Sequence, residues 1–207
     1  MKIYRKLPNQ KNFQKICKAI SVLDAILSKE YEYRYYSYNS KWGENEEFFE
    51  MKNGEGEYLL VLFNQTGCVI NGIHSEYEDV DKSILTEGLP KEFNDFIFGE
   101  PVATLGTTFC IWTNSFGKWD YNETNCEDGK RDLLTIFNNN PETYIIWAEE
   151  YFEDYYKEDG ICVKTVQKLY NGEILTKKMV LSVVDDFDRW KQLKDDLKEI
   201  DYAYDFS

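Results

Sequence analysis

The sequence predicts an α+β domain: an antiparallel sheet of about five strands, with an N-terminal helix and a C-terminal helical half packed against it. Three observations carry this. Apolar residues recur at helical spacing before residue 29, the period switches to two from Tyr31 to about His74, and helical spacing returns from Lys130 onward. The expected organisation is one domain over residues 1–207, with a basic N-terminal helix at about 12–28, a strand-rich part at about 31–113 and a helical part at about 130–200.

The elements follow in order. Phe13, Ile16, Ile20, Leu23 and Leu27 form one stripe, with Lys11, Lys15 and Lys18 mostly elsewhere on the wheel, so an amphipathic helix is expected from Asn12 to Ser28. Tyr31, Tyr33 and Tyr35 alternate with Glu32 and Arg34 as in a half-exposed strand. Phe48 to Met51 leads into Lys52-Asn53-Gly54-Glu55-Gly56, a hairpin turn, because Asn and Gly accept the backbone such turns require. Tyr58 to Phe63 is apolar on both faces and reads as a central strand. Gln65-Thr66-Gly67 turns the chain into a strand from Cys68 to Ile73.

Leu89 to Phe98 gives a short helical turn, and Thr107 to Thr113 another strand closed by Asn114-Ser115-Phe116-Gly117. Lys130 to Phe137 is helical. Pro141 sits just inside a longer helix from Glu142 to Tyr156, with Tyr144, Trp147, Ala148, Tyr151 and Tyr155 as its stripe. Val163–Tyr170, Thr176–Val184 and Phe187–Ile200 complete the helical part.

Charge is divided unevenly. The chain carries a formal net charge of −14, yet residues 1–29 hold seven basic side chains (Lys2, Arg5, Lys6, Lys11, Lys15, Lys18, Lys29) and one acid, Asp24. Subtraction from the totals leaves 17 basic and 37 acidic groups in residues 30–207, a body of −20. Such a body repels phosphates, so neither nucleic acid nor an anionic membrane is an expected partner. The longest fully apolar run, Tyr58 to Phe63, is far short of the ~20 residues that span a bilayer. Met1 to Pro8 has no apolar run behind its basic residues, as a signal peptide would. Five scattered cysteines without a C-x-x-C pair suit a reducing cytoplasm.

Chemistry-bearing patterns are sparse. His74, the only histidine, ends a predicted strand; a catalytic reading would pair it with Cys110 or Cys68, but no nucleophile elbow or oxyanion loop accompanies it. Glu76, Glu78, Asp79 and Asp81 lack the central Gly of a calcium loop and read as a solvated loop. Gly54 and Gly56 lie between strands rather than between a strand and a helix, so they form no phosphate cradle. No catalytic residue, metal ligand or cofactor is therefore assigned. Aromatics beside acids give the binding signal, since Trp and Tyr supply large contact area at low entropy cost. The candidate binding surface comprises His74, Glu76, Trp42, Trp112, Trp119, Glu149, Glu150 and Glu153. The expected partner is a basic protein, met by charge and anchored by aromatics. The alternative is an enzyme or small-ligand binder with a pocket around His74. Nothing in the residues fixes an oligomeric state.

Several short stretches, in order, resemble a family of uncharacterised bacterial proteins. They are Glu57-Tyr58 with Leu60-Val61-Leu62-Phe63, Gly72-Ile73-His74-Ser75-Glu76, Phe109-Cys110-Ile111-Trp112, Trp147-Ala148-Glu149-Glu150-Tyr151-Phe152, Leu175-Thr176 and Ile200-Asp201-Tyr202. The family ends on Ile-Gly-Tyr where this chain has Ile200-Asp201-Tyr202. The resemblance covers about residues 48–202, implies a shared fold and carries no site residues. In size and composition the chain also looks like immunity proteins of bacterial toxin systems, which implies a non-enzymatic protein that neutralises a toxin.

Overall fold

A computed structural model describes residues 7–78, 80–124 and 126–207. Among them, β1 (Tyr36–Gly43), β2 (Glu46–Lys52), β3 (Tyr58–Phe63), β4 (Cys68–Ile73), β5 (Phe109–Thr113) and β6 (Trp119–Tyr121) form one antiparallel sheet in sequence order. The predicted α+β architecture is present, with one strand more than expected. Residues Trp119–Tyr121 are too few for a period-two signal.

An asparagine folds each of three tight turns. Asn53 Oδ1 accepts from the backbone N–H of Glu55 and Glu57, Asn64 Oδ1 from Thr66 and Gly67, and Asn114 Oδ1 from Phe116 and Lys118. The side chain thus replaces a missing turn partner, and the neighbouring strands pair without slack.

Alternation along β3 divides two cores. Leu59, Val61 and Phe63 face the larger one, Leu60 and Leu62 the smaller. The larger lies under α1 (Gln10–Leu27), α5 (Lys130–Leu134), α6 (Pro141–Phe152), α7 (Val163–Tyr170), α8 (Lys177–Val180) and α9 (Trp190–Ile200). The smaller is closed by α2 (Lys82–Leu85), α3 (Asn94–Phe98) and α4 (Val102–Leu105), all from the connection between β4 and β5. The sheet is therefore covered on both faces, as the apolar run of β3 anticipates.

Two expectations are corrected. α1 forms with its predicted stripe of Phe13, Ile16, Ile20, Leu23 and Leu27 buried, but its later turns are not two-sided: Ala19 through Leu27 are buried without interruption. It is wedged between β1 and the helices α7 and α9, and a helix enclosed on all sides is apolar all round. Its polar side survives only near the N-terminus, at exposed Lys11 and Lys15 and at Lys18, whose Nζ lies 2.8 Å from Glu47. Lys2, Arg5 and Lys6 lie outside the described residues. The second correction concerns Tyr31–Tyr33, which form a single 3-10 turn rather than a strand. The chain must reverse there to leave α1 for the sheet, and β1 begins only at Tyr36.

The C-terminus is tied in by a parallel ribbon of β7 (Leu175–Thr176) and β8 (Tyr204–Asp205). Between α9 and β8, Asp201 holds φ 57° and ψ 55°, and the Tyr202 N–H donates to the Leu197 carbonyl at 2.8 Å. Such a left-handed residue closing a helix is the position that favours glycine.

Candidate functional site

His74 is a buried structural histidine. Its Nε2 lies 3.2 Å from Glu57 Oε1, and Nδ1 accepts the Glu76 backbone N–H at 3.4 Å. Gly129 closes over the other side, where an added Cβ would sit 2.4 Å from the His74 Cβ. Neither proposed nucleophile is activated: burial pushes the Cys110 thiol up to about 12 and the Cys68 thiol well above its ordinary value. A thiol held so protonated attacks nothing at neutral pH. Among the described residues, no group of three or more His, Cys, Asp or Glu is placed to hold a metal ion. Asp79, from the acidic run after His74, lies outside the described residues.

The expected binding residues do not form one face. Trp112 is 2% exposed and packs in the smaller core, so it presents nothing to a partner. Phe109 and Ile111 of β5 face the larger core and Cys110 and Trp112 the smaller, so a strand covered on both faces leaves no tryptophan outward. Trp119 is half-buried; its Nε1 donates to the Pro8 carbonyl at 2.7 Å and its ring meets Phe13 edge-on, fastening the chain ahead of α1 to the sheet edge. Trp42 is 45% exposed and stacks on Phe48 at 4.3 Å. Glu149 Oε1 accepts the Ile161 N–H at 2.9 Å, a structural contact. Glu76, Glu150 and Glu153 are exposed.

The best-formed recess lies elsewhere. A cleft of about 390 Å³ opens where α1 ends, between the Tyr31–Tyr33 turn and the end of α6. Leu27, Glu30, Tyr33, Tyr151, Phe152 and Tyr155 line most of it. Tyr33 and Tyr155 are 68% and 70% exposed and Tyr151 is 42% exposed. Behind Tyr151 the wall is rigid: Trp147 stacks on it at 5.3 Å, and Tyr35 meets both rings at 4.8 and 5.1 Å. The exposure of Tyr151 and Tyr155 corrects the expectation that both continue the apolar stripe of the long helix. That helix ends at Phe152, and Glu153, at φ 45°, turns the chain so that Tyr155 leaves the core.

Just past Tyr33 the chain enters the sheet on Asp24, a fully buried carboxyl in α1. Its Oδ2 accepts the backbone N–H of Tyr35 at 3.0 Å and of Tyr36 at 2.8 Å, and its Oδ1 accepts the Tyr144 hydroxyl at 3.0 Å. Burial pushes the Asp24 carboxyl up to about 7, against the pull of these three donors and of Arg34. Arg34 in turn forks onto both oxygens of Asp196, at 3.0 and 2.8 Å, joining the turn to α9. Reading the sequence missed this hub; its one signal was a lone acid inside an apolar helix pattern.

A second recess of about 360 Å³, at the far end of the sheet, is polar, with Gln10, Gln14, Asn45, Glu47 and Asn64 among its walls. Comparison with family models, curated proteins and solved structures found no match for this chain.

Proposed function

We propose that this is a non-enzymatic protein that binds a basic protein partner, acting as a bacterial immunity protein that covers and neutralises a toxin domain in the cytoplasm. The observation that carries the reading is the cluster of exposed tyrosines, Tyr31, Tyr33, Tyr151 and Tyr155, set among exposed Glu30, Glu32, Glu150 and Glu153 on a chain of net charge −14. Exposed aromatics anchor contacts, and surrounding acids steer a basic partner toward them. Five free thiols fit a reducing compartment. His74, closed in by Glu57 and Gly129, offers no competing reaction centre.

Co-expression with the proteins encoded beside its gene tests the reading. The expected result is a complex with one of them, relief of that protein's toxicity, and weaker association as salt rises, because exposed charges are screened within ~8 Å at physiological ionic strength. The absence of both a complex and protection with every neighbour would sink the proposal.

A further inference from the structure

We infer that the tyrosine-lined cleft at the end of α1 receives an arginine side chain presented by a protein partner. The inference deepens the protein-binding reading and rests on it.

Aromatic faces and the surrounding charge select a cation. The rings of Tyr33, Tyr151 and Tyr155 offer negative π faces, and Tyr33 and Tyr155 leave most of their surface to solvent. The same turn already uses a tyrosine in this way: the Arg34 guanidinium carbon lies 5.3 Å and the Lys52 Nζ 5.7 Å from the Tyr31 ring centroid. The cleft also opens at the C-terminal end of an 18-residue helix, where the last carbonyls carry partial negative charge. Arg189 already takes up most of that charge, donating to the carbonyls of Ile26 at 2.8 Å and Ser28 at 3.0 Å, and Gln192 donates to that of Lys29, so the helix end adds little. Charge agrees. Glu30 and Lys29 both line the cleft and offset each other. Exposed Glu32, Glu150 and Glu153 flank its lining residues in sequence and the one flanking cation, Arg34, is paired with Asp196, which leaves the surroundings acidic.

Arginine fits better than lysine. A flat guanidinium stacks on aromatic faces while its edge forks onto a carboxylate, here Glu30. An ammonium ion is more strongly hydrated and loses more on entering an aromatic recess. The wall formed by Tyr151, Trp147 and Tyr35 is already packed, so little ordering opposes entry.

The test uses the full chain, labelled with ¹⁵N, and a blocked pentapeptide bearing one central arginine between glycines. Lysine and citrulline versions of the peptide serve as comparisons. Expected are saturable shifts in amides of residues 27–33 and 151–155, weaker binding of the lysine peptide and none of the citrulline peptide. Tyr33→Leu and Tyr155→Leu keep apolar bulk but remove the ring face, and each is expected to weaken arginine binding about fivefold. Both side chains are mostly exposed, so the variants retain the core. Absence of saturable shifts, equal binding of citrulline, or undiminished affinity in both variants overturns the inference. A partner recovered by co-expression that holds the double variant as tightly as the wild type also overturns it, while leaving the protein-binding reading intact. Arginine-selective binding with no neighbour bound has the opposite meaning: the site stands and the toxin-neutralising reading falls.

Discussion

Asp24 ties α1 to the start of the sheet through two backbone N–H groups and the Tyr144 hydroxyl, and its protonation is coupled to folding. Burial raises its carboxyl from an ordinary 3.8 to about 7. Below pH ~4 folded and unfolded chains both hold the proton. Between ~4 and ~7 the unfolded chain loses it and the folded chain keeps it, so this residue's contribution falls as pH rises, by about 4 kcal/mol across the window. Above that window both states are ionised and the contribution is flat. Asp24→Asn removes the titration yet keeps an oxygen for the two backbone donors and an amide that can donate to Tyr144. Urea unfolding at pH 4.5 and pH 8 is expected to show the variant gaining on the wild type by a few kcal/mol at the higher pH; a difference that does not move with pH would refute the linkage. This residue was legible only as an odd acid in a helical pattern. The elements that bury it, β1 and α6, come later in the chain, and their packing is not written in the local period.

At the scale of elements, local chemistry was readable where it is self-contained. The turns at Asn53 and Asn114 and the bounds of β4 and α7 follow from side chains within a few residues, and the sequence reading placed them correctly; it placed the turn at Gln65-Thr66-Gly67 without Asn64, whose side chain organises it. It failed at Tyr31–Tyr33, where alternating tyrosines imitate a strand that has no neighbour to pair with until Tyr36. Two glycine exchanges test the local rules with opposite signs. Gly72 on β4 lies opposite Phe109, and an added Cβ would fall 2.0 Å from the ring. Gly72→Ala should therefore cost about 1–3 kcal/mol by forcing the ring off its seat, seen as a lower melting temperature. Asp201, at φ 57°, has the reverse problem. Asp201→Gly relieves a left-handed Cβ and gives up only a 3.7 Å contact between Lys18 and a largely exposed carboxylate. A gain of about 1 kcal/mol is expected in thermal unfolding; an unchanged or lower melting temperature would show that the helix end tolerates aspartate without strain.

For the whole molecule, the division into a basic leading segment and an acidic body takes on a different meaning once α1 is seen from all sides. Of the described basic residues in this segment, Lys11, Lys15 and Lys18 lie in the first half of α1 and Lys29 just past its end, whereas Ala19 through Leu27 lie inside, against β1, α7 and α9. α1 is thus less a counter-charge for the body than the centre of the larger core, and the acidic surface is left to face outward. A detachable binding arm could be removed with the remainder intact. A central helix could not: Phe13, Ile16, Ile20, Leu23 and Ile26 are all fully buried, and losing even one such side chain typically costs ~2–5 kcal/mol against a total stability of ~5–15 kcal/mol. A chain lacking residues 1–28 is therefore expected to lose cooperative unfolding and the dispersion of its amide spectrum. The exposed acids would be unchanged in number but no longer held in register with the tyrosines, because Leu27 and Ser28 form part of the cleft itself. If the shortened chain instead melts cooperatively with a dispersed spectrum, α1 is an appendage, and the cleft must be rebuilt from the sheet and α6 alone.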